Sequence, residues 1–471
     1  MATYRGLLAF FLATAVLLGC DGSDGGSDGG TDGGLQPSTG GRSGSSGGGQ
    51  GGESGAHSPG GGGDGGDLPD GSAGAGAAGA GGQGGEGGEA GGAGDGGLDA
   101  GPAIDESAEL YDEARVPRFD ITLPQASIDM LNADPRTYVP GELRYGDEVV
   151  SNIGVRLKGE YSLRSLDGKA PFKLKFDEFV PGQEFRGLRR MTLNNLLQDF
   201  SFIAERLVYA VYREAGLPAP RCNSALVYVN DQFYGVYANV ETEDKTFLRR
   251  WFEDEDGNLY EEGQVDFAAG NAGIFELETN EMENNRTDLE NMIEVFEATT
   301  PETFVADMNT VMDVQQFLRF TALEGLVNQW DMYAYTHFAP NNFRIYHDPT
   351  TGQFVFLPWG MDLAMKPFMG RDNLPMFTTT ATSGRLFVRC LESPGCRTAY
   401  VTAVQEMVEV FENADLASKA DAYFEQIREH IMADPRKEQI MPTIEEHYGI
   451  VRANIVARPE LVRAEIAAEM N

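Results

Sequence analysis

Between residues 331 and 362 the chain carries two side-chain types, aspartate and asparagine, that could do chemistry together. Asp331 closes an apolar helical pattern, Asn341 and Asn342 stand where a strand begins, and Asp362 lies just past the next strand, 353-QFVFLPW-359. A PTTG turn joins 342-NFRIYHD-348 to that second strand, so a hairpin returns the chain to its starting point and brings Asn342 toward Asp362. One carboxylate to orient a hydroxyl nucleophile, with an amide oxygen and a second carboxylate to hold a divalent cation against phosphates, is the equipment of phosphoryl transfer. Taken singly, each residue reads more readily as a loop carboxylate or an Asx turn. The weight lies in the order: aspartate, loop, asparagine, hairpin, aspartate.

Such a site needs a cation on its other side. In 171-PFKLKFDEF-179 Phe172, Leu174 and Phe176 alternate with Lys173 and Lys175, which puts both lysines on one strand face. Glu205, on the first turn of the helix that follows, is placed to meet such a lysine.

The elements that must position these residues read in order as strands, a helix, a hairpin, and then mostly helices. Strands are expected at 117-PRFDITLP-124, within 142–162, and at 189-RRMTLNN-195. Asp199 or Ser201 caps a helix whose apolar face is Ile203, Leu207, Val208, Val211 and Tyr212, ending at Gly216. Two strands follow around the 230-ND-231 turn, then a short helix at 244–252. The segment 254-DEDGNLYEEG-263 reads as an acidic solvated loop; its D-E-D-G lacks the full ligand spacing of a calcium loop. Helices are expected at 287–298 and 312–331 and through most of 399–471.

The chain of 471 residues opens with MATYRGLLAFFLATAVLLGC. Its apolar run is short for a bilayer span and stops at 17-LLGC-20, which reads as a lipoprotein signal over 1–19 with Cys20 as the lipidated mature terminus. Glycine-rich sequence without a three-residue period follows to residue 104, with almost nothing apolar to bury, and reads as a disordered tether. The net charge of -37 argues against nonspecific nucleic-acid binding. The spacing of 390-CLESPGC-396 permits a disulfide between Cys390 and Cys396 and leaves Cys222 over; no zinc-type CxxC pair occurs.

The segments 154-GVRLKGEYSLRSLDGKAPFKLKF-176, 191–241, 330-WDMYAYTHFAPNNFRIYHD-348 and 356-FLPWGMDLAMKPF-368 together resemble the CotH kinase family, over about residues 115–430. The resemblance implies an α+β, divergent two-lobed protein-kinase-like fold with a helical C-terminal subdomain. On that reading 105–430 is the kinase-like domain and 431–471 its helical extension. It also implies ATP and Mg2+ or Mn2+ as cofactors and a protein acceptor phosphorylated on Ser or Thr at the envelope, surface or coat. Asp331 falls at the family's catalytic aspartate, and Asn342 and Asp362 at its metal ligands. Lys173 or Lys175 falls at the phosphate-binding lysine, with Lys158 and Lys169 as rivals. Glu205 matches its brace, and Glu241 falls where the nucleotide base enters. Many relatives read Pro-Trp-Asp-x-Asp where this chain has 358-PWGMD-362, so Gly360 removes one carboxylate. That departure keeps a second reading in view, a catalytically inactive surface-binding lipoprotein. A calcium-dependent adhesin rests only on DEDGN, and neither GxSxG nor HExxH is present to support a familiar hydrolase.

Overall fold

A computed structural model describes residues 105–336, 338–367, 373–380 and 382–471. The expected signal peptide, Cys20 and the glycine-rich stretch to residue 104 lie outside the described residues.

Strand-forming alternation dominates the first part. Seven strands close a barrel in the order β1-β2-β3-β4-β5-β7-β6. They are β1 (Arg118–Thr122), β2 (Val139–Tyr145), β3 (Glu148–Leu157), β4 (Phe172–Lys175), β5 (Arg190–Asn194), β6 (Cys222–Val229) and β7 (Gln232–Val240). Closure comes from the one parallel pairing, β1 on β6, with Arg118 opposite Leu226. The inward residues fill a core of their own, including Phe119, Ile121, Leu143, Val155, Phe172, Leu174 and Tyr237. As the alternation in β4 predicts, Phe172, Leu174 and Phe176 are in this core. Lys173 takes the opposite face yet is also buried, while Lys175 is half-buried.

The helix expected after residue 199 starts later, as α2 (Ala204–Glu214), following α1 (Gln125–Ala133). Asp199 and Ser201 still serve its entry. Asp199 accepts from the N–H groups of Ser201, Phe202 and Glu205, and Ser201 Oγ accepts from Ala204 N–H. Gly216, at φ +69, ends the helix as anticipated.

The second sheet, β11-β10-β8-β9, is built on the anticipated hairpin β10 (Phe343–Asp348) and β11 (Gln353–Pro358). It adds β8 (Leu259–Glu261), which the sequence reading leaves as acidic loop, and β9 (Glu276–Leu277), for which it offers no element. Tyr260 pairs with Ile345, so Leu259 and Tyr260 are fully buried within an otherwise polar stretch. Two apolar residues are too few to show a period, and only pairing with a strand some 85 residues away makes them a strand. The helices here are α3 (Lys245–Trp251), α4 (Thr287–Ala298), α5 (Phe304–Met308) and α6 (Val314–Leu326), then α7 (Arg385–Glu392), α8 (Pro394–Asn413), α9 (Leu416–Ala433) and α10 (Met441–Glu469). All of these but α3, together with α2, enclose a second core, while Phe247 and Leu248 of α3 pack in a small cluster with Leu259, Tyr346, Val355 and Leu357. Cys390 and Cys396 form a disulfide across the α7–α8 junction, and Cys222 is free and buried. Among the described residues no helix is long and apolar enough to cross a membrane.

The helix expected over 312–331 is shorter than its pattern. Asp313 caps it as anticipated, accepting from Gln316 N–H, but it stops at Leu326, and Asn328 turns left-handed at φ +54. Asp331 therefore sits in a loop. That loop is tied back to α6 by Glu324, which is fully buried and accepts hydrogen bonds from the N–H groups of Ala334 and Tyr335.

Candidate active site

The hairpin register puts Phe343 opposite Pro358, so the residues flanking the two strands also meet: Trp359 N–H donates to the Asn342 carbonyl at 3.1 Å. Asn342 is left-handed at φ +53, and its side-chain Nδ2 donates to the Asp331 carbonyl at 2.6 Å and to Asp331 Oδ2 at 3.0 Å. Both partners are acceptors, which fixes the amide orientation and leaves Oδ1 pointing the other way, toward Gly360. Asn341 Nδ2 adds a longer bond to Asp331 Oδ2 at 3.3 Å. Glu262 completes the support by accepting from Asn342 N–H at 3.1 Å.

Gly360 is left-handed at φ +60, and a Cβ built there would run into Asn342 Oδ1. The chain then makes a single 3-10 turn, Met361–Leu363, that carries Asp362. Desolvation, and then the charge on nearby Asp362, pushes the Asp331 carboxyl up to about 7. Desolvation also raises Asp362, against the lowering effect of Lys366 and Lys158.

On the barrel side, Lys158 follows β3, and its Nζ donates to Asn194 Oδ1 at 2.9 Å. Asn194, at the end of β5, donates in turn to Glu205 Oε1 at 2.8 Å. Glu205 Oε2 is buried without a hydrogen-bond partner, and desolvation and then Asp362 push its carboxyl well above the usual range. Lysine and helix glutamate are thus linked through an amide. Lys158 also lies 5.4 Å from the centre of the Trp359 ring, whose neighbour on the other count is Arg344, at 4.5 Å.

Of the residues the sequence singles out, Asp331, Asn342, Asp362, Lys158 and Glu205 come together here. The other lysines do not join them. Lys169 forms a buried ion pair with Asp434 at 2.7 Å, and Lys175 pairs with Glu178 at 3.0 Å. Lys173 belongs to a separate buried charge cluster, acting on Glu278 beside Arg344 and Arg190. Glu241 is neutralised by Arg221 at 2.8 Å and Arg250 at 2.5 Å. Sequence reasoning missed Asn194, Glu324 and Lys366. Only Lys366 left a signal, standing four residues beyond Asp362 in a stretch already under suspicion.

The donor set suits a hard divalent cation: Asp362 and the outward Oδ1 of Asn342 are oxygen donors, and the mutual repulsion of Asp331, Asp362 and Glu205 is what a bound cation would relieve. Among the described residues no three His, Cys, Asp or Glu side chains converge on one point, so the set would be completed by phosphate oxygens and water.

A family model described as CotH kinase protein matches residues 155–462, and the chain belongs to that family. Inner spore coat protein H of Bacillus subtilis (strain 168) is 22% identical over 308 residues, covering 61% of this chain and 82% of that protein. Among solved structures, a chain from the Shewanella oneidensis MR-1 toxin–antitoxin complex of HipA, HipB and operator DNA aligns over 74% of both chains, with 11% identity and a TM-score of 0.30. The Helicobacter pylori proinflammatory kinase CtkA aligns over 68% of this chain and 92% of its own, with 12% identity and a TM-score of 0.23.

Proposed function

We propose that this protein is an atypical protein kinase that transfers the terminal phosphoryl group of ATP to a serine or threonine hydroxyl of an envelope, surface or coat protein. In this reading the barrel with α2 and the helix-rich remainder are the two lobes of a divergent kinase-like fold. The carrying observation is the convergence of Asp331, Asn342 and Asp362, from one loop and one hairpin, opposite the Lys158–Asn194–Glu205 relay.

Asp331 orients the acceptor hydroxyl and takes its proton as the hydroxyl oxygen bonds to the terminal phosphorus. The bond from that phosphorus to the bridging oxygen breaks, and ADP leaves with the electron pair. Asn341 and Asn342 hold the Asp331 carboxylate in one orientation. Asp362 and Asn342 Oδ1 would hold Mg2+ or Mn2+, which supplies charge neutralisation on the phosphates. Lys158, steadied through Asn194 by Glu205, neutralises the inner phosphates, the part a helix-braced lysine plays in phosphoryl transfer. We further propose that the chain is exported and held at a membrane through lipid on Cys20, so that the acceptor lies outside the cytoplasm.

The test is transfer of labelled phosphate from ATP with Mg2+ or Mn2+ to candidate envelope proteins. Metal-dependent labelling that Asp331→Asn abolishes is the expected result. Folded protein that neither labels an acceptor nor binds metal–ATP would instead favour a noncatalytic surface-binding lipoprotein. The observation on that side is Gly360, which leaves Asp362 as the only carboxylate of the Pro-Trp turn.

A further inference from the structure

Lys366 is not absorbed by the roles above, and its setting is unusual. The preceding residue, Met365, is left-handed at φ +57, a conformation that a long unbranched side chain seldom adopts. It persists because the backbone is fastened at three points. Met365 N–H donates to the Val327 carbonyl at 2.7 Å, Asn454 of α10 donates to the Met365 carbonyl at 2.9 Å, and Asn328 donates to the Lys366 carbonyl at 3.0 Å. A strained backbone fixed by three hydrogen bonds, two to the turn after α6 and one to α10, aims the following side chain, and such strain gathers at functional sites.

That side chain is half-buried, and its Nζ donates to the Gln198 carbonyl at 2.6 Å, its one hydrogen-bond acceptor among the described residues. An ammonium has three donors, so two remain to be turned elsewhere. The carboxylates acting on it are Asp362, Asp199 and Asp331, from three different elements, and the Phe200 ring centre lies 5.5 Å away. Asp199 is already occupied by Ser201, Phe202 and Glu205. Lys366 is therefore a cation within electrostatic reach of Asp331 and Asp362 that closes no ion pair on either. Lys158 acts on Asp362 and Glu205, whereas the cation acting most on Asp331 is Lys366.

We infer that Lys366 is a second phosphate-binding residue, contacting the oxygens of the transferred phosphoryl group between Asp331 and Asp362, while Lys158 serves the inner phosphates. This rests on the phosphotransferase reading. During transfer Lys366 forms and breaks no covalent bond; it neutralises charge on the peripheral oxygens as the acceptor oxygen bonds to phosphorus and ADP departs.

The structural alternative is a strap, in which the bond to Gln198 simply fastens the α2 entry loop to the segment after Asp362. Calorimetry on the full chain with Mg·ATP and with Mg·ADP separates the two roles. Lys366→Met is expected to lose about tenfold in ATP affinity while keeping ADP affinity, since ADP lacks the group Lys366 contacts. Phosphoryl transfer should fall by about a hundredfold or more, and Lys366→Arg should keep part of the preference for ATP. Equal losses for ATP and ADP, or no loss for either, would overturn the assignment in favour of the strap. Wild-type protein that binds neither nucleotide would overturn the assignment together with the phosphotransferase reading, and is recognisable because it precedes any substitution.

Discussion

Asp331 shows how far its surroundings can shift a single carboxyl. Burial and the neighbouring Asp362 raise its carboxyl from 3.8 to about 7. Such a group contributes most to stability below its unfolded value, where it is protonated in both states. That contribution is lost as pH rises from 3.8 through about 7, because the unfolded chain ionises there while the folded protein still holds the proton. Asp331→Asn should therefore raise the melting temperature more at pH 8 than at pH 5, while reducing transfer by about a thousandfold or more. A melting gain that is flat across this range would contradict the raised value. Gly360 is the other residue whose role only the geometry decides. Its left-handed backbone and the Asn342 Oδ1 that a Cβ there would meet leave no room for a carboxylate side chain. Gly360→Asp should destabilise by about 1–2 kcal/mol and weaken metal–ATP binding, because it displaces Asn342. Tighter binding in that variant would mean the glycine is a plain loss. The grouping of Asp331, Asn342 and Asp362 was legible because a hairpin and its flanks are local in sequence. The choice among four lysines was not, since it depends on Asn194, contributed by a different strand from the one that leads to Lys158.

Among the elements, the loop bearing Asp331 has no regular structure to fix it and relies on Glu324 of α6. Glu324 is raised to about 8 by burial, opposed by the two backbone N–H groups it accepts from. Its contribution to stability is full below 4.5 and is lost as pH climbs through about 8. Replacing the carboxylate by an apolar group would orphan the buried Ala334 and Tyr335 amides. Glu324→Leu should cost about 3 kcal/mol and lower turnover further through the displaced loop. Glu324→Gln keeps an acceptor oxygen and removes the charge. It should hold the fold and flatten the decline in melting temperature between pH 5 and 8; an unchanged decline would show that Glu324 does not titrate in that range. In the sequence this glutamate is one more polar residue on a helix, because its partners lie beyond the helix end. For the same reason the periodicity of 312–331 overran the true end at Leu326: apolar residues continue through Val327 and Trp330 after the backbone has left the helix. Periodic segments closed by their own caps, such as α2 with Gly216, were read correctly in type.

For the whole molecule, the barrel begins well before the family match at residue 155. Strands β1 and β2 and most of β3 lie upstream of that residue, and β1 alone joins β6 to β2. Without it the ring opens along two edges and exposes the core lined by Phe119, Ile121 and Leu143. The residues just before β1 are equally built in. Asn223 donates to the carbonyls of Asp112 and Arg115, and Arg206 on α2 donates to that of Glu113. Because α2 also carries Glu205, an open barrel would loosen the Lys158–Asn194–Glu205 relay as well as the core. A fragment of residues 105–471 should therefore unfold in one cooperative transition and bind metal–ATP like the full chain. A fragment of 155–471 should bind a dye for exposed apolar surface and show no such binding. Equal behaviour of the two fragments would mean that the upstream strands are an accessory layer and that the site is positioned without a closed barrel.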